Sequence, residues 1–436
     1  AGVAAIDAIT EDPGRSLSWH LQRSTEHARA RHEAQRARPP YVRADADRPE
    51  RRLGAHRIAI SAGSVLCVET LEKELDYRAS RLEKSTARAL DPDVAAYIAS
   101  ADLLAHHRSY EAAQVLLTQL LERKLPEIPS RALRGAITRS PNAALADGLL
   151  SSIEGPQQGR TLSAAVEVLG WRREEAALPR LLALAGEENS LPVRQAAVVA
   201  LGRIGARSAV DALLPALSEP RMAANAAVAL LLLGDRRGVD FHAQSLAAGT
   251  ELDSAPGEIV GRYGGPSYLL LLRQIAEGDG PRALGALQGL GYLGDPRGIG
   301  VLLSGLGKRD SVHVAVAAAA LELITGHREE LERPGLHACW EQYWHQAEAM
   351  FSEGVRYRDG KIMSLDVLVD KLGHDDPLVR RGSYDELVIS TGFTLPFDAD
   401  GPYRVQNSHR RAWYRKCRKH SEEFTIGGWW FDGNPV

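Results

Sequence analysis

Along most of this chain the apolar residues return every three or four positions, the 3.6-residue period of helices that bury one face. The segments "DPDVAAYIASADLLAHHRSYEAAQVLLTQLLERKL" and "SRALRGAITRSPNAALADGLL" read as such helices, broken by Pro126, Pro129 and Pro141. Farther on the pattern repeats itself, in "ALGRIGARSAVDALLPAL", "LLLLGDRRGVDFHAQSL" and "GLGYLGDPRGIGVLLSGL". In each, an Ala/Leu/Val-rich helix meets a glycine, crosses a short turn and resumes as a Leu-rich helix. The corresponding glycines are Gly170, Gly205, Gly234, Gly264 and Gly294, spaced 35, 29, 30 and 30 residues apart. Glycine suits the left-handed residue that ends a helix, and the proline of "LGDPRG" prevents continuation. Two short helices cannot bury their apolar stripes alone, so such units stack and share one core. No alternating segment of useful length interrupts them, so the expected fold is all-α, a solenoid of helix hairpins with almost no strand.

Small residues in "RQAAVVALG", "AANAAVALLLLG" and "HVAVAAAALELITG" let neighbouring helices approach closely. Over residues 161–326 these strings resemble the HEAT-like repeats first associated with phycobilisome lyases. The resemblance implies a HEAT-like α-solenoid and no particular chemistry, because one fold hosts many functions.

After Gly326 the repeat changes. Two stretches, 321–360 and 386–433, each run from a helix ending in Thr-Gly, through a polar loop, to a Trp. The steps from Trp340 to Phe351, Gly354 and Gly360 are 11, 3 and 6, and those from Trp413 to Phe424, Gly427 and Gly433 are the same. The second copy has a loop seven residues longer before its Trp. A solenoid needs its last apolar face covered, so these aromatic residues are expected to fold back as a C-terminal cap. The competing role is a partner anchor, since interface hot spots have the same composition. The candidates for either are Trp340, Trp344, Tyr357, Trp413, Trp429, Trp430 and Phe431. Trp430 takes the register of Tyr357 and is expected to point inward; Trp429 takes that of Arg356 and is expected to face solvent or a partner. The predicted organisation is a basic arm and linker (1–57), a helical region of degenerate repeats or cap (58–160), HEAT-like repeats (161–326) and two aromatic units (327–436).

Taken with "WHLQR" (Trp19 to Arg23) and "ERRLGAHRIAISAGSVLCVETLEKEL", the LG-rich repeats and the TG...W...F..G.RY..G module make the whole chain similar to a family of bacterial HEAT-repeat proteins often encoded near type VI secretion genes. The second module departs from that pattern, with Trp429 and Trp430 where the first has Arg356 and Tyr357. That family implies a setting and no mechanism: a bacterial cytoplasmic adaptor or chaperone-like accessory whose partner is a secretion effector or apparatus component.

Charge adds an asymmetry. The net charge is −3, yet residues 15–57 hold eleven Arg against five acids, so a basic arm precedes an acidic body. Residues 38–50, with three prolines and no periodicity, read as a linker. No apolar run is long enough for a membrane span, and no secretory signal opens the chain. Cys67, Cys339 and Cys417 lie far apart without a CxxC pair, so reduced thiols are expected, Cys67 as a buried structural one. His106 and His107 fit a helix end, where the dipole favours them.

Candidate chemistry is sparse. His337, Glu341 and His345 share one helical face, but the outer two are roughly 12 Å apart along the axis, too far for one ion. Iron-holding HEAT-fold hydroxylases use repeated His-Glu pairs; the only adjacent pair here is His32-Glu33. No GxSxG, P-loop or HExxH pattern occurs, so no catalytic, cofactor-binding or metal residue is assigned. "HRRAWYRKCRKH" supplies a basic patch, Arg410, Arg411, Arg415, Lys416, Arg418 and Lys419, read as a solvated helix face opposite Trp413 rather than a nucleic-acid site. The expectation is a non-catalytic protein-binding scaffold. The alternative is an enzyme on the same array, such as a bilin lyase-like or DNA glycosylase-like protein.

Overall fold

The computed structural model describes residues 65–83, 92–155, 159–249, 255–399, 401 and 403–436, in two compact units whose described parts run 65–229 and 230–436. The basic arm and linker lie outside the described residues, as does the Cys67 side chain. The fold is all-α, built from helix hairpins of the α-solenoid class. Among the described residues no helix is long and apolar enough to cross a membrane.

In the N-terminal unit, α1 (Val65–Leu82), α2 (Pro92–His106), α3 (Tyr110–Glu122), α4 (Glu127–Arg139), α5 (Ala143–Glu154), α6 (Gly159–Arg172), α7 (Leu178–Leu184), α8 (Leu191–Ile204) and α9 (Val210–Leu213) follow one another. Polar side chains supply the stops and starts. Ser109 accepts from the Ala112 N–H to begin α3, and Asn142 accepts from the Ala144 N–H to begin α5. The Asn142 amide also donates to the His107 and Ser109 carbonyls, joining two successive turns. Arg172 donates to the Ile137 and Ser140 carbonyls at the end of α4, 2.9 Å each, satisfying acceptors that a helix C-terminus leaves open.

α10 (Ala223–Leu232) is followed by the helices of the C-terminal unit: α11 (Arg237–Ala248), α12 (Ala255–Tyr263), α13 (Leu269–Ala276), α14 (Pro281–Leu293), α15 (Ile299–Leu306), α16 (Ser311–Thr325), α17 (Leu336–Ala347), α18 (Leu365–Lys371), α19 (Pro377–Thr391) and α20 (Tyr403–Lys419). Two antiparallel hairpins, β1 (Tyr357–Arg358) with β2 (Lys361–Ile362) and β3 (Trp430–Phe431) with β4 (Asn434–Pro435), are the strands among the described residues. Leu272, Leu287, Leu290, Leu302 and Leu321 make a continuous core there, each worth about 1.5–3 kcal/mol of apolar burial.

The glycine ladder proves to combine two roles. Gly205, Gly234 and Gly294 are left-handed, with φ of 84, 74 and 73°. On the other two rungs that position is Arg173, at φ 57°, and Gly265, at φ 84°, not Gly170 or Gly264. Gly170 instead lies inside α6, where an added Cβ would fall 2.6 Å from Ala200 Cα. It shares that close-approach role with Gly202 against Ala229 (2.7 Å) and Gly291 against Ala320 (2.9 Å). The long first step of 35 residues comes from aligning a packing glycine with a capping one; Arg173 to Gly205 is 32.

Candidate functional site

The two aromatic modules are superposable in their hydrogen bonding. Each hairpin turns through an Asp-Gly pair with both residues at positive φ: 51 and 73° at Asp359 and Gly360, 50 and 78° at Asp432 and Gly433. This is the two-residue turn whose twist matches paired strands, and Asp-Gly is its favoured sequence. The turn caps a helix. The Asp359 and Gly360 N–H groups donate to the Leu323 and Ile324 carbonyls at the end of α16, at 2.7 and 3.0 Å. The Asp432 and Gly433 N–H groups donate to Ile389 and Ser390 at the end of α19, at 2.7 and 2.9 Å. Carbonyls that the helix leaves unpaired are therefore satisfied by a turn 36 or 43 residues later in sequence, which is why Thr-Gly and Asp-Gly recur together.

Around these turns the aromatic residues are core. Trp340 and Trp413 are fully buried, with Trp340 edge-on to Tyr343 and Trp413 edge-on to Tyr384. Tyr357 packs on Phe351, and Trp430 packs edge-on to Phe424, in matching places. Phe431 joins Leu231, Val239, Tyr263 and Ile389. Trp344 is half-buried. Trp429 overturns the expectation placed on it: it is 6% exposed against 2% for Trp430, and its indole N–H donates to the Leu293 carbonyl at 2.8 Å. The alignment with Arg356 is correct, but that arginine is itself 0% exposed, so the register position is interior in both copies. An arginine at this register position need not reach solvent, because this one has a buried counter-charge.

That counter-charge is Glu386 on α19, also 0% exposed. Its carboxylate receives Arg356 at 2.7 Å and Arg358 at 3.1 Å from the first hairpin, and Arg262 at 2.9 Å from α12. Arg262 is held in turn by Glu258 at 2.7 Å, and its guanidinium stacks 3.6 Å over the Tyr292 ring. Burial pushes the Glu386 carboxyl upward, but the Arg358, Arg356 and Arg262 guanidinia outweigh it and hold it down to about 2. Burial draws the Arg356 guanidinium down to about 10, with Arg358 and Arg262 adding to the fall and Glu386 opposing it. Backbone bonds reinforce the junction: the Arg356 N–H donates to the Gly427 carbonyl and the Gly427 N–H to the Met363 carbonyl, 2.8 Å each. The second module is thereby fastened to the hairpin of the first. The sequence reading missed this cluster. Its signals were Glu258 and Arg262 four apart in an apolar stretch, and arginines alternating about Tyr357 on a strand.

The basic residues lie elsewhere. Arg411, Arg415, Arg418 and Lys419 are exposed on α20, while Arg410 and Lys416 are half-buried beside Tyr414 and over the Phe393 ring. His337 and Glu341 are 3.6 Å apart on an exposed face of α17 that His345 shares. No three His, Cys, Asp or Glu side chains among the described residues are grouped to hold a metal ion. His106 closes α2, its Nδ1 2.7 Å from the Asp102 carbonyl. Cys339 is a half-buried free thiol; Cys417 is a buried one, pushed up to about 12 by burial and by Asp366.

Residues 146–234 match the family HEAT repeats, so the chain carries HEAT repeats. Human deoxyhypusine hydroxylase in complex with glycerol aligns over 71% of this chain and 97% of its own, at 15% identity and a TM-score of 0.27. An engineered protein aligns over 86% of this chain and 96% of its own, at 14% identity and a TM-score of 0.23. No curated protein matches the sequence.

Proposed function

We propose that this protein is a non-catalytic protein-binding scaffold, an adaptor or chaperone-like accessory of a bacterial, type VI-like secretion system that works in the cytoplasm. The observation that carries the reading is the HEAT-repeat array itself, matched at 146–234 within stacked helix hairpins. Repeats that pack on their neighbours in series present long, regular side-chain surfaces, which suit a polypeptide better than a small substrate. The buried aromatic and charged residues of the C-terminal unit hold its hairpins in place and leave recognition to exposed helix faces. The secretion setting is supported by the likeness of the sequence to proteins encoded beside such genes.

The test is co-expression of the tagged full chain with each product of its neighbouring genes. Stoichiometric capture of one protein is the expected result. Purification without any protein partner but with retained bilin, metal or nucleic acid would instead support an enzyme on this fold, lyase-like or glycosylase-like, and overturn the scaffold.

A further inference from the structure

Helix α20 carries seven Arg or Lys and no acid in a 17-residue helix. One face buries Trp413 and Cys417. On the other, Arg404, Ser408, Arg411, Arg415 and Arg418 are exposed at steps of four, three, four and three, a straight stripe with Lys419 at its end. The stripe is roughly 21 Å long at 1.5 Å per residue. Tyr403, 76% exposed, stands at its head.

Among the described residues none of the seven cations of α20 makes an ion pair, whereas Arg262, Arg297, Lys308, Arg333, Arg356, Arg358 and Lys371 of the same unit all do. Like charges three and four residues apart repel and weaken a helix by about 0.2–0.5 kcal/mol per pair. A carboxylate-bearing partner removes that penalty, and arginine, four of the five exposed cations, offers a planar fork that receives carboxylates bidentately.

Carboxylates border the stripe. The Tyr414 hydroxyl donates to the exposed Asp370, and exposed Glu422 and Glu423 follow the helix. The cationic strip is therefore one helix wide. It fits a slender acidic chain, while a nucleic-acid duplex would set its second row of phosphates over these acids.

We propose that the exposed face of α20 is the docking site for an acidic polypeptide segment of the partner, an inference that rests on the scaffold reading. The test is fluorescence anisotropy on the full chain with three labelled probes: a helical peptide carrying Glu at i, i+4, i+7 and i+11, a scrambled peptide of identical composition, and a single-stranded oligonucleotide of similar length. The patterned peptide is expected to bind about tenfold tighter than the scramble, and the double variant Arg411→Glu/Arg415→Glu to weaken it by about tenfold or more. The control Arg309→Glu, at an exposed cation outside α20, should leave binding unchanged. Tighter binding of the oligonucleotide, self-association lost in the double variant, or equal peptide binding by native chain and double variant would each overturn the proposal. Capture of the co-expressed partner by the double variant at native yield, without peptide binding, sinks the docking face and leaves the scaffold standing. Patterned, charge-dependent peptide binding with no partner captured does the reverse.

Discussion

The two hairpin modules share a backbone and differ in what they push inward. From the first, Arg356 and Arg358 reach a buried carboxylate; from the second, Trp429 and Phe431 enter apolar clusters. The turn, the helix it caps and the packed aromatic pair are the same in both. Interior position is therefore fixed by the strand's place between helices, and either chemistry is admitted if its partner is present. The apolar solution gains from burial directly. The ionic one depends on every member, because buried charges are favourable only when paired and hydrogen-bonded.

Removing the hairpin of the second module tests that comparison most severely. Deleting Phe424–Val436 withdraws Trp429, Trp430 and Phe431 from the core and reopens the Ile389 and Ser390 carbonyls. A single large buried aromatic is worth about 3–5 kcal/mol on truncation. Loss of soluble protein, or of a cooperative melt, is the expected outcome; a deletion variant that melts like the full chain would show that the tail is not part of the core.

Glu386→Gln attacks the first module at its hub and leaves Arg356, Arg358 and Arg262 without their shared anion. Breaking a buried pair this way costs about 3–5 kcal/mol, read by denaturant unfolding. The pH dependence follows from the same site. The folded carboxyl sits near 2, below its ordinary 4.5, so its stabilisation is complete above that ordinary value and is lost as pH falls toward 2. Acid unfolding of Glu386→Gln should lack that contribution, and a variant with an unchanged acid slope would remove Glu386 from the account.

These sites differ in how far the sequence disclosed them. The duplicated register of Trp340 and Trp413 disclosed the second hairpin because backbone geometry recurs at fixed spacing. The helical repeat was legible for the same reason, through the 3.6 period and the packing glycines. The Glu386 cluster was not, because Arg262, Arg356 and Glu386 come together across 124 residues and no local spacing encodes the meeting. Trp429 was misplaced for a related cause: whether a strand residue is interior depends on what covers it, and Leu293 belongs to another repeat.

Trp429→Phe isolates one hydrogen bond from the apolar solution. The ring stays largely filled, but the Leu293 carbonyl loses its indole donor, an orphaned acceptor worth about 1–3 kcal/mol. Trp430→Phe, with no such bond to Leu293, should cost less by thermal melting. The reverse order would mean that burial alone ranks the two positions.

The smallest effect separates the two turns themselves. Gly360 and Gly433 occupy the same turn position at φ of 73 and 78°, so alanine at either incurs the same left-handed penalty, about 1–2 kcal/mol. Their surroundings differ. A Cβ at Gly360 would lie 2.5 Å from the Thr325 carbonyl oxygen, a backbone atom fixed in α16. At Gly433 the corresponding atom, the Thr391 carbonyl oxygen, is 3.4 Å away, which is ordinary contact. Gly360→Ala must therefore push the first hairpin off its helix, loosening the Asp359 and Gly360 bonds and shifting the arginines beside them, while Gly433→Ala need only bear the conformational strain. Gly360→Ala is expected to melt lower than Gly433→Ala, by about 1 kcal/mol for the extra weakened hydrogen bond. Equal losses in paired thermal melts would mean that the first hairpin can slide along α16 without cost, and that the arginine cluster does not hold it in register.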